Sequence, residues 1–252
     1  MIMVTIIVTN KKYAENIWNG LSRLLILNFL FFLVTIPVQA WAMTQINLIT
    51  ANNDLGIFFG IGAALNAALQ LLPPAVHFLL FALDALAFGP MCVAMHAVVS
   101  RTVQGERVWL WPDLKKSISE NWKQAMLIGV VDILVFFASL NYFVSGSGGM
   151  RLIWLVMVVI YLCFRAAVYE ILFRVELRFF DLMKDALLIG LLSFWRVLLL
   201  ILGGLALILA CGYIDVAAYP VFLYVLIDVL AALLIHPQVR RYLLSGENEE
   251  KA

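Results

Sequence analysis

Five charged residues fall inside long apolar runs: Asp84, Asp132, Arg165, Arg196 and Asp228. An ionised side chain at the centre of a membrane-inserted helix costs about 2.5–3.5 kcal/mol, so each needs a reason to be there. Three acids and two bases admit two accounts. In the first, the acids line an aqueous or substrate path, and one carboxylate binds a proton or cation and couples it to a solute. In the second, Arg165 and Arg196 each pair with an aspartate across helices, while the remaining acid sits near an interface or is protonated. The acids form no recognisable relay, which favours the structural account.

Other reactive residue types point to little covalent chemistry. His77, His96 and His236 lie near the ends of apolar runs, without an HxxxH pattern or a carboxylate at ligand spacing, so no metal site is expected. Cys92, Cys163 and Cys211 lack CxxC spacing and read as small buried hydrophobes. No GxSxG or phosphate-binding glycine motif follows a strand pattern. Gly60, Gly62, Gly203 and Gly204 sit in helical apolar runs, where close helix packing accounts for them. Glu170 and Arg174, four residues apart, read as a surface pair. With no nucleophile, metal cluster or paired carboxylates at interpretable spacing, neither an enzyme nor a cofactor is expected.

The elements that must hold these residues are set by composition. Of 252 residues, 64% are hydrophobic and 13% charged, and the mean hydropathy is +1.00, whereas a soluble domain is roughly 45–50% apolar and about 25% charged. Apolar runs long enough to cross a bilayer core of about 30 Å recur along the chain. The expectation is one all-α transmembrane domain over residues 1–252, a polytopic helix bundle with lipid as its solvent. A net charge of +1, without a clustered basic excess, excludes nucleic acid as a partner. The opening residues MIMVTIIVTN carry no basic segment or cleavage site, so the first span is expected to direct insertion.

Six spans are expected, at about 24–42, 75–99, 124–144, 152–173, 186–211 and 217–236. Residues 57–72 carry Asn66 and Gln70 and stop at Pro73, which predicts a surface or re-entrant helix. Gly89 and Pro90 predict a kink in the second span. Between spans two and three, Leu110, Leu114, Ile118 and Trp122 recur every four residues, predicting an amphipathic interfacial helix over about 110–122. Lys and Arg concentrate before span one and after spans two, four and six; only Arg151 falls on the other side. Positive residues stay cytoplasmic, so both termini belong inside. A weak internal echo is also visible: Asp113 to Lys116 leads to Leu127 to Val131, as Asp181 to Lys184 leads to Leu188 to Leu192. The echo fits either a parallel repeat, as some transporters use, or two aliphatic helices that start alike from a basic loop.

The stretch from Phe88 to Val130 carries Gly89-Pro90 opening a helical run, a basic turn with Gly105 and Glu106, the aromatic run Trp109 to Leu114, and Asn121 to Ala125 entering the next span. In these features it resembles the YesL-like family of bacterial membrane proteins. Leu27-Asn28 with Ile36-Pro37 looks like that family's first helix, and Pro237 to Leu244 like its closing segment. An insertion of about thirty residues after Pro37 departs from the shorter members. The resemblance implies a bacterial inner-membrane protein, accessory or regulatory to carbohydrate uptake or sensing, with a carbohydrate ABC transporter or a sensor kinase as partner. It supplies no catalytic residues. The alternative kept beside it is a small-solute transporter, for a sugar or coupled to a cation, that uses the buried carboxylates.

Overall fold

A helix satisfies its own backbone hydrogen bonds, and in lipid nothing else can, so a chain this apolar folds as helices. The computed structural model describes residues 2–35, 73–145, 148–214 and 224–244, and no strand occurs among the described residues. In chain order the helices are α1 (Ile2–Val34), α2 (Pro74–Gln104), α3 (Leu110–Ser145), α4 (Gly148–Leu172), α5 (Phe179–Leu192), α6 (Phe194–Ile214) and α7 (Tyr224–Val239). A short π-helical turn, Arg240–Leu244, follows. Among the described residues, three segments are long and apolar enough to cross a membrane: Lys12–Val34, Leu86–Gln104 and Gly148–Leu172. The bent pair α5–α6 makes a fourth if it counts as one crossing. The outer half of α4 exposes Leu152, Ile153, Val156 and Met157, an apolar surface that suits lipid.

The elements differ from the expected ones in several places. α1 is helical from Ile2, so Lys11, Lys12 and Arg23 belong to the helix and not to a preceding loop. The amphipathic residues 110–122 are no separate helix; they continue into α3, whose 36 residues span about 54 Å against a hydrocarbon core of about 30 Å. The first half of α3 is charged and its second half apolar. The expected span 186–211 is broken at Ser193, where α5 and α6 meet at 83°. α2 runs without interruption through Pro90. Residues 57–72 and 36–42 lie outside the described residues.

α2 is the centre of the bundle, packed by α1, α3, α4 and α7. Its inner half, Cys92 to Ser100, is buried throughout. Glycine lets two pairs of backbones meet. A Cβ on Gly89 would stand 1.8 Å from the Ala125 carbonyl oxygen of α3, and one on Gly129 would stand 2.4 Å from the Gly89 nitrogen. Gly190 of α5 is held likewise, 2.0 Å from the Cys163 carbonyl of α4. A Cβ on Gly203 would stand 3.2 Å from a Leu230 side-chain carbon of α7, a tight approach, and one on Gly204 would stand 4.0 Å from Ile227, an ordinary contact. The α5–α6 break needs neither Gly nor Pro. Ser193 closes α5 through its N–H to the Ile189 carbonyl, while its own carbonyl accepts from Arg196 and Val197 at the start of α6.

The first backbone donors of a helix lack partners within it. At α7 the fully buried Asn28 of α1 accepts the Val225 N–H at 2.8 Å. Asn28→Ala is expected to destabilise the fold by about 1–3 kcal/mol, the range for a buried donor left unsatisfied, as a loss of resistance to detergent-induced unfolding.

Candidate functional site

The helical repeat puts residues four apart on one face. On α2 this aligns Cys92, His96, Ser100 and Gln104; on α4 it aligns Tyr161, Arg165 and Tyr169, with Glu170 on the adjacent line and Arg174 in the turn that follows α4. α3 adds Asp132, and α7 adds Asp228 and His236. Together they make a polar seam through the apolar bundle.

Its inner part centres on Glu170, which is wholly buried. Oε1 accepts from Arg174 Nε at 2.6 Å, from His236 Nδ1 at 2.7 Å and from the Ser100 hydroxyl at 3.2 Å; Oε2 meets His96 Nε2 at 2.8 Å. The other nitrogen of His96, Nδ1, lies 3.3 Å from Asp228 Oδ1. Ser100 Oγ in turn accepts from Arg174 at 3.0 Å and from Gln104 at 2.9 Å. An imidazole with an acceptor at each nitrogen donates to both only as the cation. The carboxylates of Glu170 and Asp228 are matched within the cluster, Glu170 by Arg174 and by both imidazoles and Asp228 by His96. One atom stays outside the match: Asp228 Oδ2 is buried without a hydrogen-bond partner.

The second part of the seam centres on Asp132. Its carboxylate accepts from both tyrosine hydroxyls of α4, Tyr161 and Tyr169 (2.6 Å for Tyr169), and from Arg165 Nε at 3.1 Å. The Arg165 guanidinium also lies over the Tyr169 ring, 5.4 Å from its centre. Cys92, buried on α2, stands one helical turn before His96.

The structural account of the five charges in apolar runs holds for Asp132 and Arg165 but not for Arg196. That guanidinium donates to the Leu234 carbonyl at 3.1 Å and, with the amide oxygen of Gln238 turned inward, to Gln238 at 2.9 Å, so it closes the end of α7 instead of meeting an aspartate. Asp228 is drawn to His96. The side chain of Asp84 lies outside the described residues, as do those of His77 and Cys211. The Glu170–Arg174 pair expected at the surface is the core of the seam, and His96 and His236, remote in sequence, share its carboxylate. The Cys92, His96, Ser100, Gln104 ladder was the signal available for this cluster. No group of His, Cys, Asp and Glu suited to a metal ion occurs among the described residues.

The contacts His96–Glu170 and Ser100–Arg174 are both separated by 74 residues, so α2 and the end of α4 pack in one register, and the cluster lies between them.

Two clefts open beside this bundle. One, of about 500 Å³, separates Asn121 to Gln124 of α3 from the Leu172–Leu177 segment after α4, and Arg174 reaches from it to Glu170. The other, of about 600 Å³, lies between α1 and the α2–α3 connection. The chain matches no protein family, curated protein or solved structure.

Proposed function

We propose that this chain is an accessory or regulatory protein of the bacterial inner membrane, built as six crossings with both termini cytoplasmic, that performs no covalent chemistry. The observation that carries the reading is the satisfaction of the two carboxylates at the centres of the seam: Glu170 has four partners and Asp132 three, which is how a closed, register-setting core is built. In this reading α5–α6 is one broken crossing, and the basic ends of the helices, ringed by exposed Trp18, Trp109, Trp111 and Trp122, mark the cytoplasmic interface. A role beside carbohydrate uptake or sensing, with a carbohydrate ABC transporter or sensor kinase as partner, is supported by the YesL-like features of 88–130. That segment supplies the Gly89–Gly129 crossing, the His96 ladder and the Asn121–Gln124 wall of the first cleft. Purification from native membranes after crosslinking from Asn121→Cys should recover such a partner; recovery of the chain alone would count against the proposal.

Two observations favour a second reading, a small-solute carrier: the orphaned Asp228 oxygen and the helix broken within the bundle. Carriers place sites between repeats beside discontinuous helices. In proteoliposomes an accessory protein takes up no sugar from a broad panel. Uptake by the wild type that is lost in Asp228→Asn would establish the carrier instead.

A further inference from the structure

The 600 Å³ cleft between α1 and the α2–α3 connection is lined by Arg23, Ile26, Arg107, Val108, Trp109 and Leu110. We infer that it binds the anionic head group of a membrane phospholipid. The residues that line it include two guanidiniums and no carboxylate. Arg23 and Arg107 are both exposed, and one Arg23 nitrogen is fixed on the Val108 carbonyl at 3.1 Å, which aims the guanidinium at the loop end of the bundle. Arginine suits this task because its planar fork matches phosphate oxygens. The indole of Trp109, 72% exposed, stands where head groups meet the acyl region.

The apolar side of the cleft continues where acyl chains would run. Ile26, Phe29 and Leu33 are exposed along one side of α1, and the seven helical steps from Ile26 to Leu33 rise about 10 Å toward the bilayer centre. Anionic charge at one end and an apolar strip at the other match a phospholipid. Free phosphate would use the arginines but not the strip. The wall is rigid where it must be: Gly105 closes α2 in the left-handed conformation at φ 78°, and Asn16 of α1 donates to the Val103 carbonyl at 3.1 Å.

The test is native mass spectrometry of the full chain released from micelles containing phosphatidylglycerol or phosphatidylcholine, with parallel samples given soluble glycerol phosphate. The wild type is expected to retain phosphatidylglycerol in preference to phosphatidylcholine. Arg23→Gln/Arg107→Gln should weaken that retention roughly twenty-five-fold, about a factor of five for each interfacial cation, while the equal charge loss in Lys115→Gln/Lys184→Gln should leave it nearly unchanged. Arg107→Gln alone, on an exposed side chain, keeps the test informative if the double variant misfolds, and should lose about fivefold. Equal retention by wild type and cleft variants, equal retention of phosphatidylcholine, or displacement by glycerol phosphate at concentrations similar to the lipid would each overturn the inference.

Discussion

Glu170→Gln is expected to destabilise the protein by about 3–5 kcal/mol, the range for breaking a buried ion pair by removing one partner. The size follows from geometry. The carboxylate is wholly buried and is the shared acceptor for His96, Ser100, Arg174 and His236. The amide keeps one acceptor oxygen but turns an NH₂ group toward donors, and Arg174, only 13% exposed at its side chain, loses its counter-charge. Unfolding in mild detergent should show the loss directly. Glu170→Gln/Arg174→Gln should recover part of it, because the second change removes the uncompensated cation. Glu120→Gln, which loses only an exposed partner 3.9 Å from Lys116, should change stability little. Equal effects at Glu170 and Glu120 would show that the cluster holds nothing together.

Gly89→Ala is expected to cost about 3 kcal/mol or more, at the upper end of overpacking effects. The added methyl would sit 1.8 Å from a backbone oxygen of α3, which no rotamer change can relieve. α2 and α3 would have to separate along the largest helix contact in the bundle. Gly190→Ala, 2.0 Å from the Cys163 carbonyl, should behave alike. Gly204→Ala meets only ordinary contact at 4.0 Å, and alanine is the better helix former by up to about 1 kcal/mol, so it should be neutral or stabilising. The yield of monodisperse protein after extraction, followed by thermal unfolding, ranks the three. If Gly89→Ala is tolerated as well as Gly204→Ala, the backbone approach at that crossing is wrong.

These residues also show what a sequence can and cannot disclose here. Long apolar runs must become helices in lipid, so the all-helical architecture was legible from composition and run length. The Asp132–Arg165 pair was foreseeable in kind, since two opposite buried charges need each other. The break at Ser193 was not, because Leu-Leu-Ser-Phe-Trp contains no residue that ends a helix; the bend comes from Gly190 seating α5 on α4 and from Arg196 tying α6 to the end of α7. The continuity of α3 was masked by the shift from an amphipathic to an apolar pattern, which marks a change of surroundings and not of conformation. Glu170 was misleading because a Glu–Arg pair four apart looks the same on a wet surface as in a core. What buries it is the meeting of α2, α4 and α7, and His236 is 66 residues away along the chain. Only the i, i+4 ladder from Cys92 to Gln104 pointed to that meeting.

The central claim is that the buried charges close on one another inside the bundle and do not line an open path. Asp228 tests it best, because its Oδ2 is the buried atom of the cluster without a hydrogen-bond partner among the described residues. In a background with Cys92, Cys163 and Cys211 replaced by alanine, Asp228→Cys can be exposed in proteoliposomes to a membrane-impermeant, charged methanethiosulfonate from either side. The closed core predicts no modification in the folded protein and full modification after unfolding; rapid modification from either side would contradict it.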